Sequence, residues 1–186
     1  MGLDATELGR PVYLPLGFRA LYTISRWSVP TVAAMGVAPP PGIAIRPAGP
    51  DDLERMAEYD RRCSGLERRA VLNNLLARAP NLALVAECGN GSLAGYGLGR
   101  DGHRTAHVGP IMAETQAIGL ALLSRALAAT GGLATLDVPD RHAAIREWLQ
   151  SRGASAPRTF VRMLRGSAPA VENGSRIMAI AGPELA

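Results

Sequence analysis

An α/β fold, one mixed β-sheet flanked by helices, is predicted for this chain of 186 residues, and three observations predict it. Short apolar runs bounded by Gly, Pro and Asn alternate with stretches of helical period. From Ile43 the elements read β-α-α-β-β-β-α-β-α-β, with room for a last β near the C-terminus. At His107 to Leu127 an apolar run, Val108 to Ala113, passes through a short polar turn into a helix on which Ile118, Leu122, Leu123 and Leu127 share a face. Such a strand–turn–helix unit belongs to layered α/β domains, and the unsatisfied amides opening its helix can hold a phosphate.

Taken in order, residues 1–27 read as a fragment. Leu3-Asp4-Ala5-Thr6 predicts a strand end with a helix cap, and Glu7 to Leu16 a short helix interrupted by Pro11 and Pro15. Gly17 suits a C-cap before a strand from Phe18 to Trp27. These pieces cannot enclose a core, so that strand must pair with the edge of the following domain or with another chain, which leaves a homodimer open. Residues 28–42 hold Pro30, Pro39, Pro40 and Pro41 and predict a semi-rigid linker. A compact domain spans 43–165. It opens with a strand at Ile43 to Arg46, and Gly49-Pro50-Asp51-Asp52 starts a helix, proline and acidic residues both suiting a first turn.

Leu53, Met56 and Ala57 continue that helix, Ser64-Gly65 break it, and a second helix runs from Leu66 to Ala79 before Pro80. Leu82 to Cys88 and Leu93 to Arg100 form a hairpin through Gly89-Asn90-Gly91-Ser92. Arg104 to Ala113 is a strand and Thr115 to Thr130 a helix ended by Gly131-Gly132. Leu133 to Val138 is a strand, Asp140 to Ser151 a helix capped by Asp137 and closed by Gly153, and Thr159 to Leu164 a strand. In the tail, 166–186, Ile177 to Ala181 reads as a final strand.

The first segment repeats a later one. Leu3-Asp4-Ala5-Thr6, Val12 to Phe18 and Ser25-Arg26-Trp27 follow the same strand–helix–Gly–strand plan as Leu136-Asp137-Val138-Pro139, Trp148 to Gly153 and Val161-Arg162-Met163. Residues 1–27 therefore read as the end of a first copy of the domain, whose earlier part lies outside this chain.

Composition excludes several function classes. No run of about 18 uncharged apolar residues exists, so no transmembrane helix is expected. Asp4, Glu7 and Arg10 stand where a signal peptide needs an apolar core, which predicts a cytoplasmic protein. Cys63 and Cys88 make neither a disulfide framework nor a metal cluster and read as buried thiols, and three scattered histidines give no metal-ligand spacing. All 20 basic residues are arginine, spread along the chain at a formal charge of +4, without the clustering and exposed aromatics of a nucleic-acid surface.

The element order, with the Leu16-Gly17-Phe18 ending of the first segment, resembles the GNAT superfamily of acyl-CoA-dependent N-acetyltransferases. The domain at 43–165 resembles the C-terminal domain of tandem GNAT proteins. The resemblance implies acetyl-CoA as cofactor and, as acceptor, an amine of a small molecule or peptide that attacks the thioester directly. It also implies an alternative: a degenerate, non-catalytic domain that binds a ligand or scaffolds a partner domain. In the family the cofactor lies in a splay between two central parallel strands, with its pyrophosphate on the amides of the following turn. Backbone groups of Ile111 and Ala113 would then hold the pantetheine, and the amides of Ala117, Ile118 and Gly119 the pyrophosphate. The family's turn reads Arg or Gln, two residues, Gly, one residue, Gly or Ala, and falls here on Glu114 to Gly119. Gly119 matches; Ala117 puts a methyl group where close phosphate approach wants glycine, and Glu114 puts like charge beside a pyrophosphate.

Many family members use a tyrosine on the late helix to reprotonate the thiolate, a role suited to a phenol of pKa about 10. Tyr13 holds that place four residues before Gly17, whereas Leu149 stands four before Gly153. Asp60, Arg61, Arg62, Arg68 and Arg69 bracket the Ser64-Gly65 break that lines the acceptor site in the family, so Asp60 and Arg69 are acceptor-binding candidates. A solvated, ion-paired surface is the competing reading. Arg100 and His103 end a hairpin strand expected near the cleft, and His103 has the residue type of a base.

Overall fold

The computed structural model describes residues 1–31, 36–102, 105–166 and 174–183. Its elements are β1 (Gly2–Thr6), α1 (Arg10–Tyr13), β2 (Arg19–Val29), β3 (Ile43–Pro47), α2 (Leu53–Ser64), α3 (Arg69–Arg78), β4 (Leu84–Cys88) and β5 (Leu93–Arg100). β6 (Ala106–Ala113), α4 (Gln116–Ala129), β7 (Ala134–Pro139), α5 (Ala143–Ser151), β8 (Ser155–Leu164) and β9 (Ile177–Ala179) complete it. The order predicted from Ile43 is the order found. Gly65, at φ +73°, ends α2 where the Ser64-Gly65 break was placed, because only glycine enters the left-handed region without strain.

Among the described residues all strands join one mixed sheet of order β1-β8-β2-β7-β6-β5-β4-β3, with β9 paired to β6. Two apolar layers cover it. Leu53, Met56, Tyr59 and Cys63 of α2, with Leu72, Leu75 and Leu76 of α3, pack on one face. Ile118, Leu122, Leu123 and Leu127 of α4, with Ile145 and Leu149 of α5, pack on the other. The shared face predicted for α4 is thus its buried face.

The N-terminal segment contributes one interior strand and one edge strand. β2 lies inside the sheet, antiparallel to β7 on one side and β8 on the other. Its eleven residues reach Val29, two beyond the predicted end of the segment, and the linker that follows is described only outside 32–35. β1 pairs with the far side of β8. The repeat seen in the sequence thereby becomes an approximate two-fold axis through the Ile24–Phe160 pair, which exchanges β1-α1-β2 with β7-α5-β8. Arg26 faces Asp137 and Arg162 faces Asp4, and each pair is bidentate. Both carboxylates are fully buried. Gly17 (φ +83°) and Gly153 (φ +76°) end the two helices alike.

Asp137 is therefore not the cap of α5. It sits within β7, where strand pairing fixes it opposite Arg26, and the cap position is His142. The short-range acidic pattern before a helix was outcompeted by a partner 111 residues away.

Candidate functional site

β6 and β7 are parallel neighbours only at Ala106–Ala134 and His107–Thr135, and then diverge. The divergence leaves a wedge at the C-terminal end of β6, beside the turn that opens α4. This is where Ile111, Ala113, Ala117, Ile118 and Gly119 come together: the first two fully buried on β6, Ala117 exposed, and Ile118 and Gly119 buried in the first turn of α4. Thr115 caps that turn, its Oγ1 accepting from the Ile118 amide at 3.3 Å.

The wedge is filled by the chain itself. β9 runs antiparallel to β6, pairing Ala179 with Ile111 and Ile177 with Met112. On its other side the Ile180 amide donates to the Asp137 carbonyl at 3.0 Å. Residues 177–181 are all buried, Met178 and Ala179 in the α4 layer, Ile177 and Ile180 in the α2 layer. His142 Nε2 donates to the Ile177 carbonyl at 2.7 Å, and Arg176 pairs with Glu114 at 2.7 Å.

Two glycines shape the wedge to this strand. A Cβ at Gly119 would stand 2.5 Å from Met178 Cγ, and one at Gly109 (φ +152°) would overlap the Ile180 carbonyl oxygen. The glycine that matched the phosphate-turn pattern thus makes room for a methionine. Glu114, read as a charge facing a phosphate, is compensated by Arg176.

The remaining candidates lie elsewhere. Asp60 is buried; Arg68 Nε and Nη2 donate to its carboxylate at 2.7 and 2.9 Å, and the Tyr96 hydroxyl donates to it as well. Arg69 pairs with Glu54 on the surface of α2 and α3. The bracket around Ser64-Gly65 is therefore part buried and part exposed, and its carboxylate is already engaged. Arg100 pairs with His107 near the start of β6, six residues or about 20 Å of strand from Ala113, so it is remote from the wedge rather than beside it. His103 lies outside the described residues. Tyr13 packs edge-on against Phe18 at 5.7 Å, in a small cluster with Ala5, Val161 and Met163, on the far side of β8 and β2 from the wedge. Leu149, its repeat counterpart, is fully buried on the inner face of α5.

Beneath the wedge, burial governs the titratable groups. Tyr59, whose hydroxyl donates to the Ala94 carbonyl, has its phenol pushed well above its usual range by desolvation. The neighbouring Cys63 thiol is pushed up to about 11 by the same cause, so it stays a thiol at neutral pH rather than an activated nucleophile. Burial also lowers the pKa of His107 and of His142, and keeps both rings neutral. The other cysteine, Cys88, is half-buried.

What sequence reasoning missed is Arg176, Met178, Ile180 and His142. An apolar three-residue strand carries no sign of which gap it enters. The one available signal was Gly109, a glycine inside a buried strand, which marks close approach of another backbone.

Comparison with known proteins adds the following. Residues 56–179 match the family model described as an acetyltransferase (GNAT) domain. No curated protein matches. Among solved structures, an acetyltransferase candidate from Pyrococcus horikoshii is 20% identical at a TM-score of 0.68, over 100% of this chain and 59% of that one. A GCN5-related N-acetyltransferase from Sphaerobacter thermophilus is 17% identical at 0.65, over 87% and 58%. A tandem GNAT protein from the clavulanic acid biosynthesis pathway is 13% identical at 0.53, over 87% and 62%. The chain thus spans about three-fifths of the length of the structures it matches.

Proposed function

The chain belongs to the GNAT acetyltransferase family, and from that premise we propose that it serves acetyl transfer from acetyl-CoA to an amine of a small molecule or peptide, in the cytoplasm. The observation that carries the reading is the wedge between parallel strands β6 and β7 beside the α4 turn, inside the matched region.

Acetyl-CoA does not fit this wedge as it stands. The β6 edge at Ile111 and Met112 is bonded to β9, Met178 fills the space over Gly119, and Glu114 is held by Arg176. A second, local reading takes the domain at 43–165 as a non-catalytic module that binds a ligand or scaffolds a partner domain, and the occupied wedge is the observation behind it. Residues 1–27 are then the end of a first GNAT domain, a reading supported by the two-fold exchange of β1-α1-β2 with β7-α5-β8. Tyr13 would serve the site of that other unit.

The test is acetyl-CoA titration by calorimetry, with thiol release assayed over a panel of primary amines. Binding tighter than about 100 μM with turnover sinks the scaffold reading for this unit, whereas silence at millimolar cofactor sinks transfer by this chain alone.

A further inference from the structure

We propose that the segment Gly174 to Pro183 is an intramolecular pseudo-ligand: β9 holds the place of an acyl-CoA's pantetheine arm and shuts this cleft to the cofactor. The inference rests on the family reading of the cleft and adds what controls it.

A pantetheine arm is an extended chain whose two amides offer N–H and C=O groups to a strand edge. A β-strand offers the same groups at a similar spacing, so both compete for one edge. Here that edge is taken over Ile111 and Met112. β9 is also bonded on its second side, through the Ile180 amide to Asp137 and through the Ile177 carbonyl to His142. Its side chains reach both apolar layers. Met178 stands over the first turn of α4, in the space next to which a pyrophosphate would approach the amides. Arg176 reaches the same turn and pairs with Glu114, so the segment supplies a cation as well as a strand. The steric match is specific: Gly109 and Gly119 each lack a Cβ where β9 comes closest.

Hydrogen exchange read by mass spectrometry on the whole chain, with and without 1 mM acetyl-CoA, tests the proposal. The amides of 177–180 should exchange slowly, and acetyl-CoA should not bind while that protection holds. A second protein, Met178→Ala with Ile180→Pro, removes the side chain over Gly119 and the amide that bonds Asp137. Provided its circular dichroism and cooperative melt show a folded domain, exchange at 177–179 should rise at least 100-fold and acetyl-CoA binding should appear. If that protein does not fold, the native arm decides alone, because binding with β9 still protected overturns the proposal. Binding to native protein with β9 released would support competition for one edge. An opened, folded variant that still binds nothing overturns the proposal and assigns the exclusion to Glu114 and Ala117. Binding by the opened variant without acetyl transfer upholds this inference while the transfer reading falls.

Discussion

If Gly119 is present to admit Met178 rather than a phosphate, the effect of adding a methyl group there must depend on Met178. In a helix interior, Gly→Ala is worth about 1 kcal/mol in favour of alanine. Against that stands a Cβ 2.5 Å from Met178 Cγ, 3.1 Å from Sδ and 3.2 Å from Cβ, in a fully buried site, for which overpacking costs about 1–3 kcal/mol. Gly119→Ala in the native background is therefore expected to destabilise by roughly 0–2 kcal/mol. Met178→Ala alone should cost about 2–5 kcal/mol as a core truncation. In that background only the 3.2 Å contact to Cβ survives, so Gly119→Ala should turn stabilising by up to about 1 kcal/mol. The two substitutions are thus coupled by about 1–3 kcal/mol, and the sign of the glycine change reverses between backgrounds. Urea unfolding of the four proteins measures this, and thermal melts should follow at about 2–4 °C per kcal/mol for a chain of this size. Additivity within about 0.5 kcal/mol, or a stabilising Gly119→Ala in native protein, would refute the reasoning.

Three further outcomes are expected. Asp60→Ala takes the buried carboxylate from Arg68 and Tyr96 and should cost about 3–5 kcal/mol in a urea melt; a loss below about 1 kcal/mol would mean the residue is not structural and would return it to the acceptor site. His107 and His142 both have folded pKa values depressed below the unfolded value of about 6.5, so the unfolded chain gains protons that the fold refuses as pH drops. Stability should be flat above that pH and fall below it by up to about 1.4 kcal/mol per pH unit for each ring, and His142→Gln should flatten the slope; an unchanged slope in the variant sinks the assignment. Removing residues 1–29 strips the shared neighbour from β7 and β8, and light scattering after size exclusion should show aggregate; a soluble monomer as stable as the full chain contradicts it.

Much of the fold was legible because it is written locally. The helical faces of α2 and α4, the Asn90-Gly91 hairpin and the Gly65 stop each depend on residues within a turn or two of one another. The repeat was legible too, since paired motifs survive in order. What escaped were pairings set by tertiary contact. Asp137 looks like a cap in sequence and is claimed by Arg26. Asp60 looks available and is buried with Arg68, eight residues on, across a turn. The strand–turn–helix at β6 and α4 was legible, but the strand that enters beside it was not, because Ile177-Met178-Ala179 is too short and plain to declare a partner.

The interleaving of strands also sets a timetable. β2 is the third element made, yet its neighbours β7 and β8 are not complete until residue 164. At about 5–20 residues per second, the intervening 135 residues take on the order of ten seconds to synthesise. Until residue 139 is made, Ile24, Trp27 and Val29 lack β7, and until residue 164 they lack β8 as well. Such a chain depends on whatever shelters an apolar strand during translation. Its high share of distant pairings makes final assembly slow as well.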